Sequence, residues 1–211
     1  MKNKFITIEG GDGAGKTTIQ YLLKDKLEKL GYRVVSTREP GGINISEKIR
    51  NLLLDPSHIQ MDERTEALLY AASRRQHLVE KIIPALEEGK VVLCDRFIDS
   101  SLAYQGHARG IGMEKIYNMN RFAIENYMPG LTLLLDIDPK EGLQRILTND
   151  NREKNRLDLE TIHFHQLVHE GYLILLEEDP KRIKKIDATQ APEKVATEAL
   201  KHIIKYFNES E

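Results

Sequence analysis

The 211-residue sequence has no tryptophan and one cysteine, Cys94. A single cysteine excludes an intramolecular disulfide framework and a cysteine-rich zinc site, and it suits a reducing compartment. Aromatic residues are 6% of the chain, with 14 glycines and 7 prolines, too few for a collagen-like or low-complexity sequence. No apolar run approaches the roughly 20 residues that a membrane-spanning helix needs. The opening Met1-Lys2-Asn3-Lys4-Phe5-Ile6-Thr7-Ile8-Glu9 lacks an apolar segment ending in a small-residue cleavage site. These absences together give the expectation of a cytoplasmic chain that does not engage a membrane. An excess of one charge is missing too: 31 lysines and arginines stand against 33 aspartates and glutamates, a net charge of −2. That balance argues against a general nucleic-acid binder, which would usually be basic, but not against a small anion held by a few arginines.

Forty per cent hydrophobic and 30% charged residues describe a globular chain. Its length fits a single domain over 1–211, with no internal repeat or linker to divide it. Short apolar, β-rich runs at 5–8, 34–37, 91–94, 131–137 and 183–186 alternate with helical patterns. Ile19, Leu22, Leu23, Leu27 and Leu30 form one face of a first helix, stopped by Gly31. Asp138-Pro139-Lys140-Glu141 has an N-cap, a proline at the first helical position and a capping-box glutamate. Val195, Ala199, Ile203 and Phe207 mark a last amphipathic helix. The alternation predicts an α/β fold: a parallel sheet of about five strands, flanked by helices on both faces, with ligands beyond the carboxyl ends of the strands.

Gly10-Gly11-Asp12-Gly13-Ala14-Gly15-Lys16-Thr17 fits G-x-x-x-x-G-K-[ST], placed after an apolar strand and before an amphipathic helix. Glycines let the backbone wrap a phosphate with its N–H groups inward, and the helix adds the positive end of its dipole. Lys16 supplies a point charge for the β- and γ-phosphates. The stretch through Thr18 is thus the expected ATP-phosphate site. Thr17 is a natural Mg²⁺ ligand, joined by Asp95 directly or through water.

Two arginines fall at predicted strand ends, Arg38 in Arg38-Glu39-Pro40-Gly41-Gly42 and Arg96 in Asp95-Arg96-Phe97. Guanidinium groups suit bidentate phosphate binding, so the pair implies a second phosphate facing the ATP γ-phosphate. Ordinary ion pairs to Glu39 or Asp99 are the alternative. No Asn-Lys-x-Asp segment marks a guanine switch, and the third strand ends in Asp-Arg where a partner-driving ATPase usually has Asp-Glu. On the residues alone the chain is a P-loop kinase of a phosphorylated nucleotide. A nucleoside kinase using Glu39 or Asp95 as base, and a nucleotide-dependent binding switch, remain open.

Several longer stretches resemble the bacterial-type thymidylate kinases almost end to end. They are Phe5-Ile6-Thr7-Ile8-Glu9-Gly10 into the P-loop, Thr37-Arg38-Glu39-Pro40-Gly41-Gly42, and Arg64-Thr65-Glu66-Ala67-Leu68-Leu69-Tyr70-Ala71-Ala72-Ser73-Arg74. To these are added Asp95-Arg96-Phe97 with Ser100-Ser101-Leu102-Ala103-Tyr104-Gln105-Gly106, and Asn155-Arg156-Leu157-Asp158. The resemblance implies transfer of the ATP γ-phosphoryl group to dTMP, with Mg²⁺ as cofactor and no nucleic-acid partner. It implies a thymine pocket of Tyr70, Arg74, Ser101 and Gln105, with tyrosine where relatives commonly carry phenylalanine. Arg38, Glu39 and Arg96 are counted with the acceptor site. Tyr104 would lie under the sugar and exclude a ribose 2′-OH, and Asp12 would accept from the 3′-OH. Some members carry an arginine in the P-loop where this chain has Gly13; bacterial-type members place one in a lid instead. The polar segment at about 148–158 is the matching lid, with Arg152 as first choice for the transferring group and Arg156 as second. Arg145 resembles an arginine near adenine, and Asp187-Ala188-Thr189-Gln190 resembles the adenine loop. The family also suggests a homodimer through helices of the 45–127 region.

Three features are read as structural. His165 and His169, four apart on a helix, lack a third metal ligand and are expected to be a solvated or interface pair. Cys94 is expected to be a buried packing residue. Lys181, Arg182, Lys184 and Lys185 are expected to form a solvated sheet edge.

Overall fold

The computed structural model describes residues 3–148 and 156–209. Its frame is a five-stranded, all-parallel sheet in the order β2-β3-β1-β4-β5. The strands are β1 (Phe5–Glu9), β2 (Val34–Arg38), β3 (Val91–Asp95), β4 (Leu131–Asp136) and β5 (Ile183–Asp187). Each predicted run is present. Four strands extend one residue further, to Glu9, Arg38, Asp95 and Asp187, while β4 stops one short of the expected Ile137. β1 and β3 are buried throughout, so they read as nearly unbroken apolar runs.

Alternate strand residues feed two cores. Ile6, Ile8, Leu93, Leu133 and Leu135 pack beneath α1 (Lys16–Lys29) and α9 (Pro192–Asn208), against Ile19, Leu23, Val195 and Ile203. Phe5, Val92, Cys94 and Leu134 face the other core. That side carries α2 (Asn44–Leu54), α3 (Glu63–His77), α4 (Ile83–Glu87), α5 (Ile98–Ser101), α6 (Met113–Ile124) and α8 (Ile162–Glu178), while α7 (Pro139–Leu147) follows β4. α3 runs on through a π-helical turn, Leu78–Ile82, into α4, and α5 continues into a longer π segment, Leu102–Ala108. A 3₁₀ turn, Arg156–Leu159, precedes α8.

Local chemistry sets the element ends. Asp62 caps α3 by accepting from the Arg64 and Thr65 amides, and Asp138 caps α7 through Lys140. Gly31, at φ +87°, ends the first helical stretch, leaving Leu30 exposed where the apolar pattern placed it on the buried face. β1 lies centrally, with β3 on one side and β4 on the other, so chain connections diverge there. The crevice of a doubly wound sheet opens at such a point.

Two expectations about peripheral residues are corrected. Arg182 is not on a solvated edge: its guanidinium grips buried Asp99 at 2.7 and 3.0 Å and also holds Asp179. His165 and His169 do not form a solvated pair. His169 bonds Asp136 at 2.7 Å, and His165 is buried with Nδ1 3.9 Å from Asp12. Cys94 is buried, as expected. Among the described residues no helix is long and apolar enough to cross a membrane.

Candidate active site

The loop from Gly10 to Gly15 leaves β1 and enters α1 at Gly15, whose φ of +83° is natural to glycine. No side chain caps α1 and no acidic residue lies in its first turn, so its leading N–H groups face the loop uncompensated. Lys16 curls back to donate to the Gly10 and Gly11 carbonyls at 3.1 and 2.8 Å. Burial and the neighbouring Arg96 push its ammonium down to about 8. Thr17 donates its hydroxyl to Asp95 at 3.0 Å, and Thr18 is exposed beside it. Gly11 and Ala14 complete the turn, with Ala14 buried against α1.

Arg96 links this loop to the other half of the site. It sits at φ +68°, a left-handed conformation rare for a side chain of its size. Its guanidinium reaches Asp12 at 2.7 Å, the Tyr104 hydroxyl at 3.0 Å, the Gly10 carbonyl at 3.1 Å and Ser100 at 3.1 Å. Tyr104 in turn donates to the second Asp12 oxygen at 2.8 Å. Burial would raise the Asp12 carboxyl, but Arg96, Lys16 and the Tyr104 hydrogen bond outweigh it and hold it far below the usual range.

Asp12, Lys16, Thr17, Arg38, Glu39, Tyr70, Asp95 and Arg96 line one open pocket beyond the carboxyl ends of β1, β2 and β3. Arg50 of α2 lines it as well, anchored to the Pro40 carbonyl at 2.9 Å. Sequence reasoning missed Arg50; its signal was a basic residue on the less exposed side of a helix that begins beside the Pro40 turn. Arg38 is half exposed and pairs with Glu47 at 2.8 Å, not with Glu39, the alternative ion-pair partner.

A pocket continues inward between Tyr70, Arg74, Ser101, Tyr104 and Gln105, over Phe97. Arg74 is 1% exposed and bonds Glu39 Oε2 at 2.8 Å, Ser101 at 3.0 Å, the Phe97 carbonyl at 2.9 Å and Asn120. The other Glu39 oxygen meets His77 at 2.9 Å, and His77 meets Thr37 at 2.6 Å. Glu39 is therefore paired on both oxygens, to Arg74 on one and to His77 on the other. Burial pushes the Tyr70 hydroxyl well above its ordinary value, so it remains a neutral donor at the pocket wall.

On the β4–β5 side, Arg145 of α7 donates to the Ala188 carbonyl at 3.1 Å and pairs with Glu141 at 2.7 Å. This brings it to the loop after β5, where Gln190 bonds Asp187 at 3.2 Å. Arg156 lies elsewhere from its expected role beside ATP. It is buried, donates to the Leu53 carbonyl at 2.9 Å and pairs with Glu66 of α3. Arg152 falls outside the described residues. Tyr172 is a second residue that sequence reasoning missed: its hydroxyl lies between Glu9, Ser100 and Arg96.

A phosphate loop, a facing arginine pocket and an inner pocket behind it at one end of the sheet define a P-loop nucleotide kinase. The family model described as thymidylate kinase matches residues 8–199. A thymidylate kinase of Oceanobacillus iheyensis is 59% identical over the whole chain and 94% of the relative. One from Bacillus licheniformis is 61% identical over 92% of each chain. The crystal structure of thymidylate kinase from Ehrlichia chaffeensis superposes with a TM-score of 0.76 at 35% identity, covering 95% of this chain and 97% of that one. The chain belongs to the thymidylate kinase family.

Proposed function

We propose that the chain transfers the γ-phosphoryl group of ATP to dTMP, giving dTDP and ADP. The observation that carries this reading is the pair of anion sites that Arg96 joins: the Lys16 loop on one side, the Arg38–Arg50–Arg96 pocket on the other. The second pKa of a phosphate monoester is about 6, so the acceptor is mainly a dianion at neutral pH and needs no strong base. The protein's work is to hold two mutually repelling anions in line and to stabilise the charge on the moving group. Lys16 and the loop amides hold the donor phosphates; Arg38, Arg50 and Arg96 hold the acceptor phosphate. Asp12 keeps acceptor capacity for a sugar hydroxyl, since a carboxylate offers about four lone-pair sites and two are taken.

The Thr17 hydroxyl and Asp95 carboxylate, 3.0 Å apart at the pocket mouth, form the hard-oxygen pair that Mg²⁺ prefers. They would hold the ion, which when bound neutralises phosphate charge. Arg145 and the loop at Asp187 to Gln190 would flank the adenine. The chain suits a reducing, cytoplasmic setting. It would act as a homodimer through α2, α3 and α6, which pack side by side and expose Ile45, Leu52, Leu68, Tyr117 and Phe122.

A coupled ADP-release assay over nucleoside monophosphates tests the reading. dTMP should be the best acceptor and AMP and GMP negligible. dUMP, lacking one methyl group, should lose about 1–3 kcal/mol of specificity and stay measurable. Turnover of AMP or GMP equal to that of dTMP would overturn the assignment.

A further inference from the structure

Gln105 lines the inner cavity from the π segment after α5, and its side-chain amide has a donor end and an acceptor end. The Nε2 end donates to Glu66 Oε1 of α3 at 2.8 Å. Glu66 is 1% exposed and also takes Arg109 at 3.3 Å and Arg156. Burial alone would raise its carboxyl; Arg109, Arg156 and Gln105 overcome that and lower it, so Glu66 is ionised and can only accept. An amide beside an acceptor-only group has one stable orientation, with nitrogen towards Glu66. The Gln105 oxygen takes no hydrogen bond from any described residue. It is the amide's remaining polar atom at a cavity that the Arg74 guanidinium, a donor, also lines.

We propose that Glu66 is a positioning residue for base specificity: it fixes the Gln105 amide with its oxygen available to the base, so that the cavity pairs an acceptor beside the Arg74 donor. That pattern complements an imide edge, a carbonyl next to an N–H, as in thymine or uracil. Cytosine presents the reverse, an amino group next to an unprotonated ring nitrogen, and meets like against like at both positions. Such mispairing leaves buried polar groups unsatisfied, which is where large discrimination arises. The role acts through Gln105; Glu66 itself lies behind the cavity wall.

This proposal rests on dTMP being the acceptor, and the test separates the two. Steady-state kcat and KM are measured with dTMP and dCMP for the parent, Glu66→Gln and Glu66→Asp. Glu66→Gln offers the Gln105 amide a partner for either orientation. Glu66→Asp keeps the charge that Arg109 and Arg156 need while withdrawing the carboxylate by one methylene, so it serves if the first variant folds poorly. The expected result is a KM for dTMP raised about tenfold, kcat within about threefold, and a dTMP-to-dCMP preference in kcat/KM reduced about tenfold or more. A merely structural role would lower both substrates in proportion. A preference within twofold of the parent's in a folded variant overturns the Glu66 assignment. A parent enzyme that does not favour dTMP overturns instead the function proposed above.

Discussion

At the scale of single residues, the site depends on groups that satisfy one another while exposing little to water. Tyr104 is 3% exposed, donating to Asp12 and accepting from Arg96. Removing the hydroxyl leaves a half-buried carboxylate and a half-buried guanidinium each one partner short. Tyr104→Phe should therefore destabilise the fold by about 1–3 kcal/mol and lower kcat severalfold. Tyr104→Ala should in addition raise use of the ribonucleotide relative to dTMP, because the ring no longer fills the sugar side. Urea denaturation and paired assays with the two monophosphates measure both effects, and an unchanged ribo-to-deoxy ratio in the alanine variant removes Tyr104 from the sugar site. Glu9, the last residue of β1, accepts from the Phe97 amide at 2.7 Å, Ser100 at 2.6 Å and Tyr172 at 2.9 Å. Burial, then the charge of Asp99, pushes its carboxyl up to about 7. The folded chain thus keeps this proton to neutral pH, whereas the unfolded chain loses it near the ordinary value of 4.5. Between those limits the unfolded state binds fewer protons, so stability falls as pH rises from about 4.5 to 7, by on the order of 3 kcal/mol in total. Glu9→Gln should abolish that fall: near-parental stability at pH 5, higher than parental at pH 8. Equal pH slopes for parent and variant in urea midpoints would refute the account.

At the scale of elements, the phosphate loop is held by backbone contact as much as by side chains. A Cβ on Gly142 of α7 would lie 2.4 Å from the Asp12 carbonyl oxygen, and one on Gly13 would lie 2.0 Å from the Gly142 carbonyl oxygen. Two glycines therefore let α7 touch the loop. Gly13, at φ +79°, has no room for the arginine that some family members carry at this place. Gly142→Ala should force the two elements apart, costing about 1–3 kcal/mol of stability as overpacking does. It should raise the KM for ATP severalfold, since Asp12 and Gly13 must shift, and change that for dTMP less. Thermal unfolding and the two Michaelis constants check this; parental values for both would mean that the loop and α7 are not in contact. This contact was invisible in the sequence, where Gly142 is one small residue inside a helical pattern. The strands, by contrast, were legible because β1, β3 and β4 are short apolar runs buried along nearly their whole length, α7 because Asp138 caps it, and α1 and α9 because of their apolar spacing. The π segment that carries Tyr104 and Gln105 was not, since no local pattern distinguishes it from an α-helix.

At the scale of the whole molecule, legibility followed chain locality. Lys16, Thr17 and their glycines sit in one contiguous motif and were readable from spacing alone. Arg38 and Arg96 were readable as strand ends. Tyr172 was missed because a helix far along the chain brings it to the site, Arg50 because it lies on α2 outside any motif, and Arg156 was read as a nucleotide contact although tertiary structure pairs it with Glu66. The surface poses the remaining question at this scale. Phe122 is 90% exposed on α6 and Leu68 58% exposed on α3, next to the acceptor half built on α2 and α3. A symmetric interface of about 800 Å² per partner over these helices would cover them. Burying a phenylalanine of roughly 150 Å² at about 25 cal/mol per Å² gives about 4 kcal/mol per protomer as an upper figure, and symmetry counts it twice. Phe122→Glu replaces that gain with a charge that would have to be desolvated next to its symmetry mate. In sedimentation equilibrium the parent should run at twice the 24.2 kDa chain mass and the variant at the single-chain mass, with the dissociation constant raised by at least a hundredfold. Thermal unfolding of the variant should lose the concentration dependence expected of a folded dimer. A parent that sediments as a single chain at micromolar concentration would overturn the dimer, and a variant that stays dimeric would place the interface on another face.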